Sequence, residues 1–163
     1  MPKTQTRKNR RSSSTISPIK SFRKSSSSST RKQSLSEFQK EITSVFLEML
    51  LMVKLYHWKT TSYATHKATD DLYLKLNANI DSFTEILLGK SGLRIDLMGK
   101  SNIRLVDLSS QESLKREIDA FKGYLVRLND NKALQTMSNS DLFNIRDTIL
   151  GDLNQFLYLL TFK

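Results

Sequence analysis

The chain is 163 residues long, carries a formal net charge of +10 and contains no cysteine. That length suits one ordinary domain with a tail. The missing cysteine excludes a disulfide scaffold, a thiol catalyst and a Cys-ligated zinc site. The most apolar run, residues 45–56, carries Glu48 and Lys54 and is too short for the roughly 20 residues a membrane-spanning helix needs. No apolar stretch follows the basic N-terminal residues, so they do not read as a secretory signal.

The charge is unevenly placed. Residues 1–33 hold ten bases (Lys3, Arg7, Lys8, Arg10, Arg11, Lys20, Arg23, Lys24, Arg31 and Lys32) and no acid, whereas residues 34–163 are neutral overall. Serine runs separate the basic clusters, and only Ile16, Ile19 and Phe22 interrupt the polarity. Such a segment buries too little apolar surface to offset its ordering entropy, so it is expected to be a disordered tail. Ten cations on a flexible chain suit a polyanion, because each phosphate contact releases condensed counterions. Phosphorylation at Ser12, Ser17 or Ser34 would weaken such binding. The bland alternatives are a solubility tail, a localisation signal or, by composition alone, an organelle transit peptide.

From Ser34 onward the pattern predicts four helices. Ser36-Glu37-Phe38-Gln39 matches a capping box and opens the first, whose apolar positions (Phe38, Ile42, Phe46, Met49, Val53) recur at steps of three and four to about Trp58. A second is expected from about Thr65 to Leu88, stopping at Gly89 with Gly92 close behind. Residues 93–109 read as an irregular connection. A third begins near Ser110 and ends at Asn129–Asn131, and Ser138–Asp141 caps a fourth carrying Leu142, Ile149, Leu153 and Phe156. Both prolines lie in the tail and nothing alternates with period two, so the expected fold is an all-α, up-down four-helix bundle over residues 34–163.

One stripe on the second helix does not belong to its core face. At 100° per residue, His66, Asp70, Asn77, Asp81 and Glu85 fall along one line, while Leu72, Leu76, Ile80, Phe83 and Leu87 define the apolar side. His57, the only other histidine, ends the first helix. Each feature alone reads as a solvated face or a helix-end residue. Together, His, Asp and Glu supply the nitrogen and oxygen ligands of iron, manganese or zinc sites. Asp70 and Asp81 are separated by a rise of ~16 Å, so the two carboxylate pairs cannot serve one ion within one chain. An antiparallel two-fold contact between second helices would set His66 and Asp70 of one copy against Asp81 and Glu85 of the other, making two sites. His57 joins if the Lys59–Ala64 turn folds the first helix back.

The array His57-Trp58, then His66 and Asp70, then Asp81 and Glu85, resembles the signature of the Dps family, the ferritin-like DNA-binding proteins from starved cells. The resemblance spans roughly residues 36–163 and fills every ligand position. It implies a ferritin-like bundle assembled into a hollow dodecamer, with an inter-subunit di-iron site that oxidises iron(II) using hydrogen peroxide or oxygen. His57, His66 and Asp70 would come from one subunit and Asp81 and Glu85 from its partner, with Trp58 beside the site. It also implies that the basic arm binds and compacts DNA. The chain departs from the family in two places: only nine residues separate His57 from His66, and Ile86 stands where an Arg commonly follows the Glu. The shortened turn bears most on His57.

Two functions from different classes follow. One is a DNA-coating, iron(II)-oxidising cage of cytoplasm, nucleoid or nucleus. The other is a non-enzymatic packaging or virion protein, as of a large DNA virus, whose metal site is vestigial or structural. The scattered glycines exclude a phosphate loop, no nucleophile elbow appears, and no sequence-reading DNA motif is present, so binding would ignore base sequence.

Overall fold

The computed structural model describes the backbone of residues 25–99 and 102–162, and side chains from Ser34 onward. Four helices form: α1 (Ser25–Lys59), α2 (Tyr63–Ser91), α3 (Gln111–Arg127) and α4 (Ser140–Leu159), with two short 3-10 turns, Leu128–Asp130 and Leu134–Thr136, between the last two. No strand occurs among the described residues. The expected all-α four-helix bundle is therefore what the chain forms.

α1 begins eleven residues before the expected capping box, at Ser25. No glycine or proline lies between Ser25 and Lys59 to stop the helix. Gln39, expected to reach back to the Ser36 backbone, is buried and instead donates from Nε2 to Ser91 Oγ on α2 at 2.8 Å. A tertiary contact has replaced the local cap.

α1 and α2 form a tight antiparallel hairpin. Thr60 N–H bonds the Tyr56 carbonyl at 2.9 Å, and Ser62, in extended conformation, accepts Thr65 N–H on its hydroxyl to cap α2. At its far end α2 runs through Gly89 and stops only at Gly92, which adopts φ 66° and donates to the Leu88 carbonyl. A left-handed residue is what ends the helix, and Gly92 supplies it without a Cβ clash. Ser110 caps α3 through a reciprocal box with Ser113. Asn139 precedes α4 without a side-chain cap; its amide donates to Leu134 O instead.

α2 is the central helix, packed against α1 on one side and α4 on the other, with α3 against α4. Its buried positions are Leu72, Leu76, Ile80, Phe83 and Leu87, the apolar side read from the sequence, plus Thr65 and Thr69 near its start. Phe83 meets Phe46 of α1 edge-on at 5.4 Å between ring centroids.

The helices do not simply alternate in direction. Lys75 bonds Gln155 and Lys90 bonds Asp141, so α4 is antiparallel to α2. Gln111 donates to Leu160 O, and the buried Arg146 donates to Leu125 O and Asn129 Oδ1, so α3 is antiparallel to α4 and parallel to α2. The connection from Gly92 to Ser110 must therefore travel the length of the bundle. It is anchored by buried Val106 and Leu108 and by the ion pairs of Arg104 with Glu48 and Glu117 and of Lys59 with Asp107.

Candidate functional site

The short hairpin turn brings His57 against the first turn of α2. Its ring is buried, and Nδ1 donates to the His66 carbonyl at 3.0 Å, with Thr69 Oγ1 at 3.3 Å. His66 Nδ1 donates in return to the His57 carbonyl at 3.0 Å, and the two imidazoles stack with centroids 3.9 Å apart. A carbonyl can only accept, so each neutral ring carries its proton on Nδ1 and keeps a lone pair on Nε2. That is the tautomer a cation would need, fixed here by the backbone.

Asp70 lies beside this pair. Its Oδ1 is 3.9 Å from His57 Nε2 and 3.9 Å from Lys54 Nζ. Neither separation is a hydrogen bond. The Lys54 ammonium also sits over the Tyr73 ring at 4.6 Å and the Trp58 ring at 5.9 Å. Trp58 itself is 69 % exposed. Asn77, Asp81 and Glu85, further along the same stripe, are exposed. Among the described residues, neither Asp81 nor Glu85 has an ion-pair or hydrogen-bond partner.

The structure thus brings together three of the five expected ligands (His57, His66 and Asp70) and leaves Asp81 and Glu85 apart on the same helix. Among the described residues, no group of three or more His, Asp or Glu side chains is placed to hold a metal ion within one chain. Stacking gives the physical reason. With the rings stacked at 3.9 Å and 24° between their planes, the two lone pairs lie in separate, stacked planes. Of these groups, only His57 Nε2 and Asp70 Oδ1 approach each other, at 3.9 Å.

Two partly apolar grooves lie on this face, one of them bordered by Asp81. An open groove of about 450 Å³ runs between α1 and α2, lined by Leu47, Leu50, Leu51, Trp58, Tyr73 and Ile103 among others. A second, of about 420 Å³, shares Leu47, Leu50 and Asn77 with it and continues past Asp81 to Ile95.

Sequence reasoning missed Lys54, Tyr73 and Thr69. Lys54 interrupts an apolar run one turn before His57, which is the available clue. Of the ten basic residues assigned to nucleic acid, Lys3, Arg7, Lys8, Arg10, Arg11, Lys20, Arg23 and Lys24 lie outside the described residues, and Arg31 and Lys32 fall on the first turns of α1. No helix among the described residues is long and apolar enough to cross a membrane.

The fold and the hairpin site define an all-α bundle with a histidine–carboxylate edge. The chain belongs to a family of unknown function, DUF5856, whose model matches residues 57–160 and so includes all five expected ligands. No curated protein and no solved structure shows a significant match to it.

Proposed function

We propose that the protein is Dps-like: it binds and compacts DNA without sequence preference through its basic N-terminal region, and it takes iron(II) as substrate at sites completed between two copies of the chain. The observation that carries this reading is the division of the α2 stripe. One end holds His57 and His66 stacked with Nδ1 bonded to backbone and Asp70 beside His57, and the other presents Glu85 and, at the edge of a partly apolar groove, Asp81, neither of them paired among the described residues. A two-fold contact centred near Asn77 would bring each half to the other and cover the groove. The single long crossover between α2 and α3 is also the connection of ferritin-like bundles.

In such a site the chain's own groups bind and orient. The Nδ1 bonds hold both rings in the ligating tautomer, Asp70 and the partner acids supply charge to favour the ferric state, and oxygen or peroxide takes the electrons. Anaerobic addition of iron(II) followed by peroxide tests this. A ferric absorbance saturating in proportion to chain concentration is expected, and its absence would overturn the iron reading.

A second reading, a DNA-packaging or virion protein with a vestigial or structural site, is favoured by the Lys54 ammonium beside Asp70. It predicts DNA retention without iron oxidation. For either reading, a gel-shift salt titration of the full chain should give a slope of log affinity against log salt of about −5 for ~6 phosphates. Residues 34–163 alone should retain little DNA; equal retention would remove the arm from the account.

A further inference from the structure

Every exposed aromatic side chain among the described residues lies at one end of the bundle. Trp58 stands at the end of α1, Tyr63 at the start of α2, and Tyr158 and Phe162 at the end of α4, between 57 and 78 % exposed. These segments meet there because the short hairpin joins α1 to α2, and the start of α2 packs on the end of α4, where Ala68 and Leu159 line one small pocket. α3 starts at the same end, where Gln111 donates to Leu160 O. Tyr158 and Phe162 meet edge-on with centroids 5.1 Å apart, and both rings stay more than half exposed. The charge near these rings is positive. Lys67, Lys115 and Arg116 have no ion-pair or hydrogen-bond partner among the described residues, whereas the acids near them, Glu112 apart, are already held in ion pairs.

We propose that this end of the bundle is a stacking platform for the unpaired bases of single-stranded DNA, separate from the basic N-terminal region and from the metal site. Every base has a π-face, so stacking on exposed rings needs no base-specific hydrogen bonds, and neighbouring cations hold the backbone that carries the bases. The bases of a duplex are already stacked on one another and offer no face to these rings. A polycationic arm alone favours the duplex, whose charge density is higher. The platform therefore gives the folded body a strand preference opposite to that of the arm. A symmetric contact between two copies through this end suits it less, because it would set Lys67, Lys115 and Arg116 of each copy against the same cations of the other. A polyanion meets those cations with opposite charge. The arm would gather duplex, and the platform would hold stretches where the duplex has opened.

The test uses the full chain and fluorescence anisotropy with two labelled probes, an oligothymidylate of about 16 nucleotides and a duplex of about 16 base pairs. Tyr158→Ala and Phe162→Ala should each lower affinity for the oligothymidylate by about tenfold and leave affinity for the duplex unchanged. Tyr158→Phe keeps the ring and should bind both probes like the parent. Circular dichroism confirms that each variant is folded, which the exposure of both side chains favours. Salt-dependent duplex binding, with oligothymidylate binding that ignores the loss of either ring, overturns the platform and leaves the arm standing. Size-exclusion volumes of the same alanine variants then show whether the rings belong to a contact between copies, an outcome that also overturns the platform. Oligothymidylate binding that depends on the rings, without duplex binding, supports the platform and removes the arm. A parent that binds neither probe overturns both.

Discussion

The two ends of the α2 stripe differ in how much of their chemistry the fold already uses. At the start of the helix, His57 and His66 lock each other's backbones, Thr69 and Thr65 are buried beneath them, and Asp70 is flanked by an imidazole and an ammonium. Further along, Asp81 and Glu85 project from the helix with nothing bound to them among the described residues. One end therefore carries structural work along with any ligand role. The other costs the fold nothing and gains nothing from it.

The largest effect that would break this contrast is on metal binding. Asp70→Ala and Glu85→Ala should each weaken cobalt or iron(II) binding by at least tenfold, because each removes an anionic ligand. They should also complement. In a dimer of one chain of each kind, one site inherits both lesions and the other neither, so random mixing at equal amounts restores about a quarter of the sites. Titrating the mixture after subunit exchange checks this. No recovery would place both carboxylates in one chain's site, contrary to their separation along α2.

Stability should divide the two ends in the opposite sense. His57→Ala removes a buried ring and its bond to the His66 carbonyl, at a cost of about 2 kcal/mol. Glu85→Ala alters an exposed side chain without partners and should stay within about 0.5 kcal/mol. Urea unfolding of the metal-free chains measures both. If Glu85→Ala were the more destabilising, the acid end would have an internal role that the fold does not display.

Much of this was legible in the sequence, and the exceptions share a cause. The apolar face of α2 and the alignment of His66, Asp70, Asp81 and Glu85 follow from helical period alone, which is local. The return of His57 to His66 followed from the short turn. What periodicity does not hold is where distant segments meet. Ser36 and Gln39 have the right letters for a cap, yet Gln39 is drawn across to Ser91 and α1 continues back to Ser25. Gly89 looked like a stop, but of the two it is Gly92 that takes the left-handed conformation. The path of the crossover, and so the parallel run of α2 and α3, depends on buried Val106 and Leu108 and on Arg104, which no repeat announces. Lys54 was overlooked for the same reason: in sequence it is one charge in an apolar run, and only the neighbouring helix shows what it faces.

The caps at the two ends of α2 offer a smaller test of the same contrast. Ser62→Ala removes the side-chain acceptor of Thr65 N–H and should cost about 1 kcal/mol. Gly92→Ala puts a Cβ on a residue at φ 66° and should cost about as much. Only Ser62→Ala is expected to disturb the His57–His66 stack, readable as altered histidine proton shifts in the metal-free protein. Equal disturbance by both would mean that the hairpin end is held by the whole helix and not by its own cap.

The smallest expected effect lies on the opposite side of α2, where two aspartates of α4 should respond to pH with opposite signs. Asp141 is held below its ordinary 3.8, first by its bond to Lys90, so its contribution is present above that value and fades as pH falls through the lowered one. Asp152 is pushed above 3.8, first by burial, with Lys75 opposing and Asp71 adding to the rise. Folding therefore favours its neutral form, and its contribution is lost as pH climbs through the raised value. At neutral pH Asp141→Asn should destabilise the protein. Asp152→Asn should be neutral or stabilising, because an amide oxygen can still accept from Asn79 and Lys75 keeps Asp71 and Gln155. The Asp152 difference should shrink as the pH falls below 3.8, and the Asp141 difference only further down, below its lowered value. Urea midpoints at about pH 7 and about pH 2 decide it. A destabilised Asp152→Asn at neutral pH would show that the ion pair with Lys75 outweighs the burial of the charge, and that this seam of α2, unlike its outer stripe, already has its partner.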